Sequence, residues 1–360
     1  MQHTSLLDHL CSLGILYFNK DTSEYCLTAK FAVESLPPAL GFSNVAIKQN
    51  KNKCSSRLDA NTHSEFVRGE TLAVPIIAAN MSSVINSRFC ILLQKLGALG
   101  ILHRALSEEK YIEEVSAVAA ECKLVPVSVG VGKSQLELAA KLVSAGANLI
   151  TIDIAHGYCD AVIELGKEIK KRFPSVKLIV GNTINSDMLD EVNDFADAVK
   201  VGIATGSACK TKNTAGCFLP QFSALLSFKE RAAELGMPII SDGAIREPAD
   251  FVKAIAAGAS SAMAGSIFAM CPESAAEYVT DQHGMGKKVY FGMASTEAQI
   301  RWRGGLKPGT CAEGGVRHLP MGQPASELIE RYSGALRSGM TYAGAHDIKS
   351  FHQNVGFIRL

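Results

Sequence analysis

The sequence lacks any apolar run near the roughly 18 residues that a membrane-spanning helix needs. It also has almost no net charge, because 36 Lys and Arg oppose 35 Asp and Glu and leave a formal charge of +1. Without a strong field of one sign, neither nucleic acid nor a membrane is predicted as a partner. The N-terminus has no basic region followed by a cleavage site, so we expect an unprocessed, cytoplasmic protein.

Cysteine pairs and common nucleotide-binding motifs are missing as well. The ten cysteines include no CxxC pair, and a chain of this size does not need disulfides to fold, so we expect reduced thiols. No P-loop occurs, and no GxGxxG follows the first predicted strand. These absences argue against an open doubly wound sheet of the dinucleotide-binding type.

What the sequence does contain is a series of short apolar runs, each followed by a segment of helical periodicity. The runs are rich in β-branched residues and end in a small or polar residue, as is typical of parallel strands buried on both faces. Eight such repeats predict a (β/α)8 TIM barrel, with an open doubly wound sheet as the alternative. The predicted strands are 74–80, 97–103, 124–130, 149–155, 177–182, 198–202, 238–243 and 262–266.

Two segments fall outside this repeat. Residues 1–41 form a predicted N-terminal extension, and residues 42–360 are predicted to form a single catalytic barrel. The Gly-rich stretch 283–323 follows the last predicted strand and is polar at its tip. We expect it to be a mobile active-site flap.

The loop after the sixth predicted strand, GIATGSACKTK, has the composition of a reactive site. Its glycines and hydroxyls expose N–H groups that can hold a phosphate, and Lys210 and Lys212 favour a thiolate at Cys209. On position and composition alone, however, an inert small residue is the default interpretation of Cys209.

Polar residues also end several predicted strands, where a barrel places its chemistry. The small residues of SDG and AGS suit a phosphoryl group, and Asp242 suits a ribose diol. The alternative is that the glycines serve tight turns and Asp242 caps a helix. The strand-end residues are Asn80, His103, Asp153, Asn182 and Asp242.

The loop GIATGSACKTK resembles the catalytic loop of the IMP dehydrogenase and GMP reductase family. Further segments resemble the family in the same order, over roughly residues 42–360: PIIAANM, ITIDIAHGY, VGNT, SDGAI, MAGSIFA, YFGMAS and LRSGMTYAGA. The resemblance implies thiol chemistry at C2 of a purine 5′-monophosphate, with a nicotinamide dinucleotide as hydride partner.

The resemblance also implies roles for individual residues. Cys209 matches the nucleophile that forms a covalent thioimidate, and Thr211 matches a hydroxyl that manages a proton. A monovalent cation such as K+ is suggested at Gly206 and Cys209. Positions that match substrate contacts are Ser207, Asp242, Gly243, Gly265, Ser266, Tyr290, Gly292 and Met293. Positions that match cofactor contacts are Asn80, Arg104, Asp153 and Asn182.

One branch of this family oxidises IMP to XMP, and the other reduces GMP to IMP with loss of ammonia. Only about 20 residues separate His103 from Leu124, so the regulatory tandem (CBS) insert of the dehydrogenases is absent. The flap also lacks the dehydrogenase Arg-Tyr pair, whereas CAEGG resembles the reductase flap. The reductase branch is therefore favoured, with Glu313 as the acid for ammonia, NADPH as reductant and a homotetramer as the expected assembly.

Four positions depart from the family pattern. Ala204 and Ala244 replace glycines, and Thr310 and Ala312 stand where reductases place an Arg and a Ser against the base. Three alternatives therefore stay open. They are an insert-free IMP dehydrogenase using NAD, a divergent member acting on another purine nucleotide, and a non-catalytic purine-nucleotide sensor.

Overall fold

A computed structural model describes residues 38–52 and 54–360, together with the backbone of two short strands nearer the N-terminus. The contacts divide the chain into two units, Met1–Ala39 and Leu40–Leu360. In the first unit, β1 (Leu16–Asn19) pairs antiparallel with β2 (Glu24–Leu27). The rest of the predicted extension up to residue 37 lies outside the described residues.

Strands and helices alternate through most of the second unit. Its strands are β3 (Val45–Lys48), β4 (Ser64–Val67), β5 (Glu70–Leu72), β6 (Ile76–Ala78), β7 (Leu99–Gly100), β8 (Pro126–Val129), β9 (Leu149–Asp153), β10 (Lys177–Thr183), β11 (Ala198–Val201), β12 (Ile239–Asp242), β13 (Ser261–Ala264), β14 (Glu277–Thr280), β15 (Gly286–Phe291), β16 (Val316–Pro320) and β17 (Gly356–Arg359). Its helices are α1 (Ser87–Lys95), α2 (Glu108–Ala119), α3 (Lys133–Ser144), α4 (Asp160–Arg172), α5 (Met188–Val192), α6 (Thr211–Thr214), α7 (Gln221–Leu235), α8 (Pro248–Ala256), α9 (Ser266–Ala269), α10 (Thr296–Arg303), α11 (Ala325–Tyr342) and α12 (Ile348–Asn354). No helix in the described part of the chain is both long enough and apolar enough to cross a membrane.

Strands β6 to β13 form one parallel sheet, in the order β7-β6-β13-β12-β11-β10-β9-β8. The two ends of this order meet at Leu102, which bridges Val127 in parallel and donates its N–H to the Pro126 oxygen at 2.9 Å. Each predicted strand overlaps one of these eight strands. The predicted (β/α)8 TIM barrel is therefore confirmed, and the open doubly wound alternative is wrong.

The barrel follows from the two-sided burial of its strands. Because successive side chains of a strand point to opposite faces, Ile239 packs outward against the helices while Ile240 packs inward. Ile77 and Met263 belong to the same inner cluster as Ile240. Helices such as α2, which begins after the N-cap Ser107, cover the outer faces.

The β4–β5 hairpin closes the end of the barrel where the strands begin. Phe66, Val67 and Leu72 are buried in the inner cluster, and Ser64 donates its hydroxyl to the oxygen of Ser260, just before β13. With that end filled by apolar side chains, the strand-end residues at the opposite end are the ones left to line a cavity.

The segment after the barrel is regular over much of its length. Strands β14, β15 and β16 form an antiparallel sheet, and α10 lies between β15 and β16. The predicted flap, residues 283–323, includes strands β15 and β16 of this sheet. Its mobility stays a prediction. The adjacent Arg331 and Tyr332 lie within α11, outside the flap.

Two of the departures from the family pattern occupy unusual backbone conformations. Ala204 has φ +61° and Ala244 has φ +60°, both in the left-handed region, in the loops after β11 and β12. An L-residue there costs roughly 1–2 kcal/mol, because Cβ approaches a carbonyl oxygen. Glycine would adopt this backbone conformation without strain, whereas this chain adopts it with alanine.

Replacing Ala244 with glycine should stabilise the protein. Relief of the left-handed strain exceeds the roughly 0.5–1 kcal/mol of extra backbone entropy that glycine loses on folding. We expect the free energy of unfolding in urea to rise by about 0.5 to 1 kcal/mol. Ala117→Gly, at an exposed position in the last turn of α2, is the matched control and should lower it. Equal losses in both variants would contradict the strain argument.

Candidate active site

A cavity of about 380 Å³ opens at the C-terminal ends of the barrel strands. Its wall combines strand ends, the loop after β11 and the segment after the barrel, so three separate parts of the sequence meet there. The predicted site residues that line it are Asn80, Arg104, Asp153, Asn182, Gly206, Cys209, Thr211, Asp242, Tyr290, Gly292, Met293 and Glu313.

Cys209, Thr211 and Glu313 form a continuous chain of contacts in this cavity. Cys209 Sγ lies 3.3 Å from Thr211 Oγ1, and the Thr211 hydroxyl donates to Glu313 Oε2 at 2.8 Å. Thr211 is buried, which limits exchange of its proton with bulk water. The arrangement can therefore pass a proton between a carboxyl group and an atom bound next to the sulfur.

Backbone pairing holds Glu313 against the cysteine loop. The Lys210 N–H donates to the Glu313 oxygen at 2.7 Å, and the Gly315 N–H donates to the Ala208 oxygen at 2.8 Å. Cys209 and Gly314 form an antiparallel bridge between these hydrogen bonds. The position of the carboxyl group is thus fixed by the main chain as well as by its own hydrogen bond.

Lys200 forms the floor of the cavity between two predicted site residues. Its ammonium group lies 2.6 Å from Asp153 Oδ1 and 2.7 Å from Asp242 Oδ2, and the side chain is 3% exposed. Asn182 donates to the same Asp242 oxygen at 2.9 Å. Lys200 therefore links the predicted cofactor side of the cavity to the predicted ribose side.

The packing of the sheet makes room for this lysine. Gly181 lies between Asp153 of β9 and Lys200 of β11 in the strand register. A Cβ at Gly181 would come within 2.6 Å of Lys200 Cβ, so a larger residue would push the lysine out of place. A side-chain-free position in β10 is what lets Lys200 reach across to Asp153.

The charges of this floor are stabilised by each other. Burial alone would raise the pKa of Asp153, but the Lys200 ammonium outweighs burial and holds that pKa below its usual value. Burial alone would likewise lower the pKa of Lys200, and the two carboxylates raise it instead. Asp153 and Lys200 are therefore both charged at neutral pH.

A second, smaller cavity of about 20 Å³ shares Gly206 and Tyr290 with the first. Ser207 Oγ is buried there and makes no hydrogen bond of normal geometry within the described residues. A Cβ at Gly265 would come within 2.4 Å of the Tyr290 hydroxyl, so glycine allows that ring to close the cavity. The predicted substrate residues around it are Ser207, Gly243, Gly265, Ser266 and Tyr290.

This geometry agrees with the family that the loop sequence resembles. The sequence profile described as "IMP dehydrogenase / GMP reductase domain" matches residues 39–360, nearly nine-tenths of the chain. The chain belongs to the IMP dehydrogenase/GMP reductase family. The prediction of family membership from sequence is thereby confirmed, and with it the prediction of an oxidoreductase.

Members of the family named GMP reductase are similar to this chain over most of their length. A GMP reductase from Klebsiella pneumoniae subsp. pneumoniae is 33% identical over 329 residues, which cover 89% of this chain and 94% of the relative. A GMP reductase from Salmonella typhi is 32% identical over the same shares. A GMP reductase variant from Trypanosoma brucei, solved in complex with guanosine 5'-monophosphate, shares the fold with a TM-score of 0.85 at 24% identity, covering 91% of this chain and 97% of that one.

The structure gives several other residues named from the sequence no direct part in the cavity chemistry. His103 is buried, its Nδ1 accepts the Ala105 N–H at 3.1 Å, and burial lowers its pKa to about 4, so it is a neutral strand-end group. The Gly206 oxygen, suggested for a cation, accepts the Cys209 N–H at 3.0 Å. Thr310 and Ala312 are not among the residues that line either cavity.

Sequence reasoning missed Lys200, although the signal was present. AVKVG is an apolar run predicted to be buried on both faces, and a lysine in its middle must have a buried partner or a function. It also missed three residues of α10 that line the main cavity, Gln299, Trp302 and Arg303. For these the signal was weak, because α10 lies in the stretch predicted to be a flap.

Removing Lys200 should destabilise the protein in a pH-dependent way. Lys200→Met leaves two carboxylates without their buried counter-charge, which costs about 3 kcal/mol near neutral pH. Without Lys200 the pKa of Asp153 rises, so the penalty is present while Asp153 is ionised and shrinks as the pH falls and this carboxyl group takes up a proton. Urea unfolding of both proteins at neutral and acidic pH measures this difference.

The matched control is Lys95→Met, which breaks the exposed ion pair with Glu121. It should change the unfolding free energy little at either pH, since exposed ion pairs contribute little. A Lys200→Met variant as stable as this control at neutral pH would contradict the assignment of Lys200 as the counter-charge of the cavity floor.

Proposed function

We propose that this family member is a GMP reductase that converts GMP to IMP and ammonia with NADPH. The observation that carries the proposal is the chain of contacts from Cys209 through Thr211 to Glu313. It combines a nucleophile with a proton donor for a poor leaving group, which is what removal of an amine requires. The GMP reductases at 33% and 32% identity support the same direction.

In the first half of the reaction, the Cys209 sulfur adds to C2 of the purine. The exocyclic amine takes up a proton delivered through Thr211 and Glu313 and leaves as ammonia. Loss of the amine restores a double bond at C2 and leaves the purine attached to Cys209 as a thioimidate. Glu313 matters here because an unprotonated amide ion would not leave.

In the second half, NADPH bound beside the sulfur would supply a hydride to C2, and cleavage of the C2–sulfur bond would release IMP and return Cys209 as the thiolate. The chain's own residues fit a nicotinamide beside the sulfur. Asp153 offers carboxylate oxygens to the carboxamide N–H groups, and Arg104, in the same cavity wall, is a further proposed cofactor contact. Asn80 and Asn182, both in the cavity wall, complete the proposed cofactor contacts.

The same residues account for the rest of the nucleotide. Asp242, already held by Lys200 and Asn182, presents a carboxylate to the ribose hydroxyls. The small cavity offers the buried, unpaired Ser207 hydroxyl and the backbone of Gly243, Gly265 and Ser266 to the phosphate. Gly292 and Met293 line the main cavity, where the base is proposed to lie.

A second candidate substrate is another purine nucleotide with a leaving group at C2. It is favoured by one observation, that Thr310 and Ala312 line neither cavity and so leave the base without the contacts usual in reductases. An insert-free IMP dehydrogenase is disfavoured by the flap, which carries no Arg-Tyr pair. A sensor without turnover does not need the pairing of Thr211 with Glu313.

Several finer predictions accompany this proposal. They are preference for NADPH over NADH, a K+ ion at the Cys209 loop, a homotetramer, the single catalytic domain 42–360 with its flap, and a cytoplasmic location.

Glu313→Gln should slow the loss of the amine, on which the later hydride transfer depends. The amide cannot donate the carboxyl proton, so GMP-dependent NADPH oxidation and ammonia release should both fall by about 100-fold or more. The measurement follows the nicotinamide absorbance and ammonia in parallel, with IMP plus NAD assayed beside them. Glu327→Gln, an exposed carboxyl at the start of α11, is the matched control and should keep full activity.

Normal ammonia release by Glu313→Gln would contradict the proposed acid. NADH formation from IMP and NAD, without NADPH oxidation by GMP, would contradict the reductase direction. Inactivity with both pairs of substrates would contradict GMP as the substrate and direct attention to the second candidate.

A further inference from the structure

The wall of the main cavity contains a cluster of two arginines and the chain's single tryptophan. The Arg104 guanidinium carbon lies 5.0 Å from the centre of the Trp302 ring, and that of Arg303 lies 3.8 Å from it. All three side chains line the cavity that contains Cys209. We refer to Arg104, Trp302 and Arg303 as the arginine–tryptophan cluster.

Neither guanidinium of the cluster has a protein anion of its own. Among the described residues, no ion pair or hydrogen bond engages the side chain of Arg104 or Arg303, and nearby Asp153 is already bound by Lys200. Arg301, two residues earlier in α10, shows the contrast because it pairs with Glu277 and Glu297. The indole offsets part of the charge, but a ring face does not satisfy the N–H donors.

The two positive charges also oppose each other. Burial lowers the pKa of Arg104, Asp153 partly compensates, and the neighbouring Arg303 lowers it further. Holding two like charges together on one ring is unfavourable unless an anion joins them. A doubly coordinated anion would satisfy the free donors and remove the repulsion in one step.

We propose that the arginine–tryptophan cluster is an anion subsite that binds a phosphate group of the nicotinamide dinucleotide. This inference rests on the proposed function, which brings a dinucleotide into the cavity. The phosphate of GMP has its own proposed place at Ser207 and Gly265, in the smaller cavity. The cluster lies instead beside Asp153, on the side of the cavity assigned to the nicotinamide.

Arg303 is the informative member, because no other role has been assigned to it. It is exposed and ends α10, so its replacement should not disturb the barrel core. A phosphate held by two arginines loses one of its charge-assisted partners in Arg303→Gln. We expect the Kd for NADPH to rise by about tenfold in this variant, while the KM for GMP stays unchanged.

The single tryptophan provides a direct readout that needs no turnover. Trp302 emission should be quenched as NADPH occupies the cavity, so a titration gives the Kd of the wild type and of each variant. Arg301→Gln removes the same charge from the same helix and is the matched control. Its Kd should equal that of the wild type, since its guanidinium is already paired.

Two phosphate groups of the dinucleotide could supply the anion, and a parallel titration with NADH distinguishes them. If the ribose 2′-phosphate binds the cluster, Arg303→Gln raises the Kd for NADPH and leaves the Kd for NADH unchanged. If the bridging pyrophosphate binds the cluster, Arg303→Gln raises the Kd of both dinucleotides equally. Inorganic pyrophosphate then competes with NADH for the wild-type protein. Either result supports the subsite, and each identifies a different anion.

The subsite is wrong if Arg303→Gln binds both dinucleotides as tightly as the wild type, or if Arg301→Gln weakens them to the same extent. Circular dichroism checks that the variants are folded, and Arg303→Lys, which keeps the charge, should bind with intermediate affinity. Failure of the proposed function looks different. In that case Trp302 still reports Arg303-dependent NADPH binding, but GMP causes no NADPH oxidation.

Discussion

The hydrogen bond from Thr211 to Glu313 joins two segments 102 residues apart and brings an acid to the reactive sulfur. Neither segment alone is a site, because Cys209 without the carboxyl group has no route for removing an amine. The main-chain pairs between Lys210 and Glu313 and between Ala208 and Gly315 hold this contact in place. The chemistry of the site therefore depends on how the segment after the barrel docks on the loop after β11.

The buried Lys200 fixes the floor of the same cavity. Its two carboxylate partners come from β9 and β12, so a single ammonium group sets the spacing of two strands that hold different parts of the proposed ligands. Such a pair adds little net stability compared with an apolar substitute, but it fixes positions. The rigid floor and the docked segment together define where C2 of a purine would lie.

The sequence allowed the barrel to be predicted because its strands are buried on both faces and repeat at even spacing. Cys209, Thr211 and Glu313 could be named from family motifs, but their contact could not, since it depends on tertiary docking. Lys200 escaped notice because its partners are brought to it only by the strand register and by the space at Gly181. Trp302 and Arg303 escaped because a short polar helix has no apolar periodicity to indicate which of its faces meets a cavity.

The central claim, that Cys209 bonds covalently to C2 with loss of the amine, is tested most directly by mass spectrometry of the protein incubated with GMP and no reductant. The account predicts a protein adduct equal in mass to GMP minus ammonia, mapped to the peptide that contains Cys209 and discharged as IMP when NADPH is added. An adduct on another cysteine, or GMP-dependent NADPH oxidation by a Cys209→Ala variant, would contradict it.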